Sequence, residues 1–216
     1  MRNKLKFAVL AVALSAAVPA VAQQSAEGNW MVRLRALYID PANNSDAIPA
    51  LAVPSDAIEV SDKWIPDVNI SYFFTRNLAA ELVLTYPQRH TVKVTSSALG
   101  AFDAGSFKHL PPTLTLQWHF NPEGTFRPYV GAGINYTLLS NDNLSVPTGT
   151  GLHLENDSFG AAVQAGIDYK LSKSLYLNFD VKKVYIRSDV TDDTGAKLSR
   201  VEVDPVLVGI GIGYRF

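Results

Sequence analysis

The chain has 216 residues, no cysteine, 47% hydrophobic and 18% charged residues, and a formal charge of −1 at neutral pH. That length suits one domain. The lack of cysteine excludes a disulfide framework or a thiolate metal site, and nothing resembles the concentrated basic patch that a nucleic-acid partner requires.

Residues 1–22 read as a secretory signal peptide. Arg2, Lys4 and Lys6 form a positive start, an uncharged apolar stretch covers 7–18, and Ala20-Val21-Ala22 supplies a small-x-small cleavage pattern before Gln23. The apolar stretch is shorter than the roughly 20 residues of a spanning helix. The expected mature domain is therefore 23–216, with a formal charge near −4 once the three cations are removed. No further apolar run of about 18 residues follows, so any membrane crossing must be built from strands.

Period-2 alternation marks eight strands. The first, 30–40, sets Val32, Leu34, Ala36 and Tyr38 against Arg33 and Arg35. The second, 64–75, sets Val68, Ile70, Tyr72 and Phe74 against Asp67, Asn69 and Ser71. The third, 78–86, has Ala80, Leu82, Leu84 and Tyr86 opposite Glu81. In the fourth, 110–120, Leu114, Leu116, Trp118 and Phe120 alternate with Thr113, Thr115, Gln117 and His119.

The fifth, 126–137, pairs an apolar face of Val130, Ala132, Ile134 and Tyr136 with Tyr129, Gly131, Gly133 and Asn135. The sixth, 158–170, carries Gln164, Gly166 and Asp168 behind Val163, Ala165, Ile167 and Tyr169. The seventh, 175 to about 188, has Asn178, Asp180 and Lys182 behind Leu177, Phe179 and Val181. Its register past Lys182 is interrupted by Lys183, which a bulge or the membrane rim would explain. The eighth, from about 200, is strictly alternating through Val206, Val208, Ile210, Ile212, Tyr214 and Phe216, with glycines and Arg215 behind. Tyr214 and Phe216 read as a C-terminal signal for the outer-membrane barrel assembly machinery.

Connections alternate in length: 41–63, 87–108, 138–157 and 189–199 are long, whereas 76–77, 121–125 and 171–174 are short. Short periplasmic turns and long outer loops are characteristic of bacterial outer-membrane barrels. Aromatic residues collect at both strand ends, as girdles at the two lipid interfaces do. The expected fold is thus all-β: an eight-stranded antiparallel transmembrane β-barrel in the outer membrane, surrounded by lipid and lipopolysaccharide. A soluble calyx would give the signal sequence and the loop asymmetry no purpose.

The segments Asn77-Leu78-Ala79-Ala80-Glu81-Leu82, Leu110-Pro111-Pro112-Thr113-Leu114 and Arg127-Pro128-Tyr129-Val130-Gly131-Ala132-Gly133, together with the ending Gly209-Ile210-Gly211-Ile212-Gly213-Tyr214-Arg215-Phe216, resemble the OmpW family of outer-membrane proteins. The resemblance covers essentially the whole mature chain. It implies an eight-stranded barrel and, as in the AlkL-related members, uptake of small hydrophobic solutes.

A barrel of eight strands is only wide enough for side chains to fill. The inward face offers Arg33, Arg35, Lys182 and Arg215 against Asp67, Glu81, Asp168 and Asp180, with Gln117 beside them. Away from water these charges must pair. Glycines on strands five, six and eight leave space, which Arg and Tyr from the opposite wall are expected to fill. The result is a polar plug rather than a wide pore.

The outer loops carry an apolar set: Ile48, Leu51 and Val53 in the first, Leu99 and Phe102 in the second, Leu138 and Leu139 at the third. Apolar patches mark binding surfaces, which suggests an entry funnel. Pro66, Pro87, Pro111 and Pro112 stand near the outer ends of neighbouring strands. Because proline lacks the N–H that a ladder needs, they mark a candidate lateral exit. No histidine spacing suits a metal and no catalytic motif appears, so no cofactor and no enzymatic activity is expected. The alternative function is a non-transporting surface barrel, acting as a receptor or in envelope stress tolerance.

Overall fold

The computed structural model describes residues 27–216; the expected signal peptide and its Ala22/Gln23 cleavage site lie outside them. In chain order the strands are β1 (Trp30–Asp40), β2 (Asn44–Ser45), β3 (Ile58–Val60), β4 (Lys63–Phe73), β5 (Leu78–Leu84), β6 (Gln88–Val94), β7 (Phe102–Leu110) and β8 (Thr113–His119). They continue with β9 (Phe126–Ser145), β10 (Gly151–Leu154), β11 (Asp157–Lys170), β12 (Leu175–Val184), β13 (Arg187–Asp192), β14 (Lys197–Glu202) and β15 (Val206–Arg215). One short 3-10 turn, Pro49–Leu51, interrupts the first long connection.

Eight of these strands close a barrel in the order β1-β4-β5-β8-β9-β11-β12-β15, and β15 returns to β1. All pairings are antiparallel, with Arg33 opposite Gly213 on one side of β1 and Asn69 on the other. The strands can cross because a closed ladder pairs their backbone groups with one another away from water. Among the described residues no helix is long and apolar enough to do so.

Faces follow the alternation. Leu34, Leu114, Leu116, Val130, Ile134, Val163, Phe179, Ile210 and Ile212 are exposed on the outer wall. Rings edge that band at both ends. Trp30, Phe74, Trp118, Phe120, Phe126, Tyr169, Tyr214 and Phe216 stand at the turn end, and Trp64, Tyr86, Tyr136, Phe159 and Tyr185 at the loop end. Trp30 meets Tyr72 edge-on at 4.8 Å and Tyr38 lies 5.2 Å from Trp64.

The long connections differ from the expected loops. Residues 88–110 form a β6–β7 hairpin, β9 runs on to Ser145 to meet β7 and β10, and β13–β14 form a second hairpin that pairs with β10 and β2. The wall thus continues as sheet beyond the loop-end rings. The expected fourth, seventh and eighth strands are each broken: at Pro111-Pro112, at Tyr185-Ile186 and at 203–205. Lys183 sits in unbroken register between Val163 and Val206, and its Nζ donates to the Asp204 carbonyl. It is a rim residue, and no bulge is needed.

The inward glycines also have a different purpose from the one expected. A Cβ on Gly166 would lie 2.4 Å from the Tyr129 ring, and one on Gly213 would lie 3.1 Å from the Arg33 side chain. Tyr129 and Arg33 belong to the neighbouring strands and pair directly with those glycines. A large side chain therefore folds over its adjacent partner, and the opposite wall is not involved.

Candidate functional site

The interior divides into three storeys. In the membrane, Arg33 forms a two-pronged bond to Asp168 (3.1 and 2.6 Å) and reaches Ser71 Oγ at 2.7 Å and Glu81 at 3.2 Å. Lys182 holds the other Glu81 oxygen at 2.9 Å. Arg35 donates twice to Asp67 (2.9 and 2.6 Å) and pairs with Asp180 at 3.2 Å, while Tyr129 OH donates to Asp180 at 2.9 Å. Gln117 Oε1 accepts from His119 Nε2 at 3.2 Å. Every one of these groups is buried. Charges withdrawn from water are tolerable only when matched in this way, and the matched set fills the lumen.

Arg215, the ninth residue expected in the plug, sits lower. Its guanidinium lies 3.8 Å from the Phe73 ring centroid and donates from Nε to the Gly28 carbonyl at 3.0 Å. It closes the turn end together with Glu27, Arg127, Tyr176 and Lys170. Arg127 grips the Glu27 carboxylate at 2.6 and 2.9 Å, Tyr176 OH donates to it at 2.9 Å, and Lys170 pairs with it as well. Sequence reading missed this group: Glu27 precedes the first strand, and no periodicity points a pre-strand residue into a lumen.

Burial by itself would raise the Glu27 pKa, but the bonds from Arg127, Lys170 and Tyr176 outweigh it and hold the carboxyl at about 2, below the ordinary 4.5. A depressed carboxylate pKa gives stability that is present above the unfolded value and lost as pH falls through the folded one. The stability difference between wild type and Glu27→Gln is therefore expected to be constant above about pH 5 and to vanish between about 4.5 and 2. Urea unfolding in micelles across that range checks it, and a difference independent of pH would refute it.

Above the plug the lining turns apolar. Leu37, Ile39, Ile65, Val83, Val184 and Leu207 border a lower cavity whose floor is Arg35, Asp180 and Lys182. Beyond it, past the loop-end rings, lies a second chamber lined almost wholly by apolar side chains. Of the apolar loop residues singled out in the sequence, Ile48, Leu51, Val53, Phe102 and Leu139 line it. Leu99 and Leu138 do not. Leu99 is half exposed at the tip of the second connection, and Leu138 alternates with the buried Thr137 and Leu139, so it faces outward.

Phe107 and Leu144, apolar residues of the second and third connections, also line it, and so do Val60, Val92, Val94, Val190, Val201 and Val203, which the sequence reading did not assign to it. The signal was present as alternation in His90, Val92 and Val94 with Thr91 and Lys93 between. Over the top, the first connection folds back on itself through the Ile48–Val53 bridge, and Ala98 N–H donates to the Leu51 carbonyl.

Between the two cavities the wall is incompletely paired. The β4–β5 ladder ends at Val68–Leu84 and the β5–β8 ladder at Val83–Thr113, while β6–β7 begins at Gln88–His109. Residues 85–87 and 111–112 belong to no strand. Pro87, Pro111 and Pro112 occupy this interruption, and Pro66 stands on the β4 edge facing outward. Just inside, His109 stacks on His90 with ring centroids 4.7 Å apart. Burial, together with the neighbouring His90 and Lys63, pushes the His109 pKa down to about 3, and burial lowers His90 too, so both rings are neutral.

Comparison with known proteins agrees with this architecture. The model of the OmpW family matches residues 26–216. Outer membrane protein W of Vibrio cholerae is 37% identical over 97% of this chain and 96% of its own. The crystal structure of OprG from Pseudomonas aeruginosa superposes with a TM-score of 0.75 at 28% identity, covering 88% of this chain and 96% of OprG. The solid-state NMR structure of AlkL in lipid bilayers gives 0.66 at 24% identity, covering 93% and 95%, and so shares the fold. With strands that cross lipid, two aromatic girdles, a plugged lumen and these relatives, the chain belongs to the OmpW family of outer-membrane β-barrel proteins.

Proposed function

We propose that this barrel carries small hydrophobic molecules inward from the cell surface: they enter the apolar chamber and leave sideways into the outer leaflet. The observation that carries the reading is the change of lining along one axis. A chamber of valine, leucine, isoleucine and phenylalanine stands directly over a lumen closed by paired charges. Barrel mouths are common ligand positions. A solute that partitions into such a chamber gains roughly 25 cal/mol for each Å² of apolar surface removed from water. It meets a prohibitive polar barrier below, where replacing matched ion pairs by hydrocarbon would strand buried charges.

The interrupted stretch at Pro87 and Pro111-Pro112 lies beside the lower cavity, which Pro111 itself borders. Alanine at these three positions would restore N–H donors to the ladder. The triple variant is expected to slow uptake of a labelled apolar compound several-fold in a deletion strain, with outer-membrane abundance unchanged. Unaltered uptake alongside unaltered hydrogen-exchange protection at 85–87 would remove the sideways route. Planar-bilayer recordings test the closed lumen, since steady ion conductance through the wild-type barrel would contradict it.

A further inference from the structure

The polar atoms that face the waist between chamber and plug are unmatched in a particular sense. Gln88 lines the lower cavity and is buried. Its amide nitrogen donates to the Tyr86 carbonyl at 2.9 Å, which turns Oε1 inward, where it meets no donor of the protein. Two residues further along the same inward face, the fully buried His90 places Nδ1 2.6 Å from the Ser61 carbonyl. A carbonyl only accepts, so Nδ1 carries the proton. In a neutral ring Nε2 is then a bare acceptor, and it too has no partner. His109, stacked on His90 and itself lining the cavity, holds that ring in place.

Two buried acceptors without donors cost free energy until something donates to them. The cations at the floor are already committed, Lys182 to Glu81 and Arg35 to Asp67 and Asp180. The floor therefore holds no uncommitted cation for an anion.

We propose that this waist is a headgroup subsite, in which one of the two bare acceptors, Gln88 Oε1 or His90 Nε2, takes the hydrogen bond from the single O–H at the end of an otherwise apolar chain. The preferred solute class is then the long-chain alcohol or its like, ahead of ethers, alkanes and carboxylates of equal size. The proposal rests on the uptake reading and adds to it a chemical preference. The hydrocarbon tail lies in the chamber, and the hydroxyl points down toward the proline-flanked interruption.

Three probes of matched size separate these ideas: 1-octanol, methyl heptyl ether and nonane, titrated against the full chain in nanodiscs. Empty nanodiscs serve as the partition reference, and NMR shifts of chamber and waist residues are the readout. The expected result is binding of 1-octanol about tenfold tighter than of the ether, the scale of one buried hydrogen bond. In the double variant Gln88→Leu/His90→Phe that gap should narrow to about twofold or less, while nonane still shifts Leu139 and Phe107, which shows that the barrel is folded. Equal binding of alcohol and ether by the wild type, or an undiminished gap in the double variant, overturns the subsite and leaves the uptake reading standing. Failure of all three probes to bind the wild type overturns both.

Discussion

Arg33→Met is expected to lower the unfolding free energy of the barrel by about 3–5 kcal/mol, the cost of leaving buried charges without their partner. Arg33 is completely enclosed and serves Asp168, Glu81 and Ser71 at once. Methionine keeps an unbranched apolar stem, is shorter, and donates nothing. Glu81 would keep Lys182, and Asp168 would keep only the Asn178 amide at 2.9 Å. The added change Asp168→Asn removes the stranded charge and is expected to recover a substantial part of the loss, because residues in one network do not act additively. Urea unfolding followed by the gel-mobility shift of folded and unfolded barrel measures both variants. A loss under about 1 kcal/mol for the single change would mean that water reaches this pair as it reaches surface ion pairs, and the plug would not be sealed.

Leu139→Asp is expected to reduce uptake of apolar solutes at least about tenfold, whereas Leu138→Asp, one residue away, is expected to leave it within about twofold. The two side chains point to opposite sides of β9. Leu139 is buried in the chamber wall, and Leu138 is directed outward near the loop-end ring. A carboxylate in the chamber keeps water there and removes the advantage of apolar burial. One at the interface costs little, since charge penalties fall to about 0–1 kcal/mol near the membrane surface. Matched outer-membrane amounts of both proteins are required for the comparison. Equal uptake by the two variants would show that solute does not pass through the chamber.

The membrane barrel was legible because lipid is an unforgiving solvent. A strand that touches acyl chains must present an uninterrupted apolar face, so Val206 to Phe216, or Leu114 to Phe120, announce themselves by alternation alone. Their polar faces then had to point inward, and the nine polar residues singled out there are buried, with Arg215 lower than the rest. Past the loop-end rings the same logic reverses. There water lies outside and the apolar side turns inward, so the pattern changes phase between Val181, on the lipid face, and Val184, in the lumen. A reading tuned to lipid-facing strands took this reversal for loop, and it missed β6, β7, β10, β13 and β14.

From the amino-acid sequence alone came the strand count, the side of each strand that meets lipid, the charge inventory of the interior and the prolines that interrupt pairing. These are local properties, set by a two-residue period and by the backbone chemistry of single residues. Only the tertiary structure decided which cation meets which carboxylate, that Glu27 seals the turn end, and that strands beyond the membrane enclose a chamber. Those facts depend on register between segments distant in the chain, as when Arg33 reaches Asp168 across 135 positions. No periodicity within one segment encodes the stagger of another.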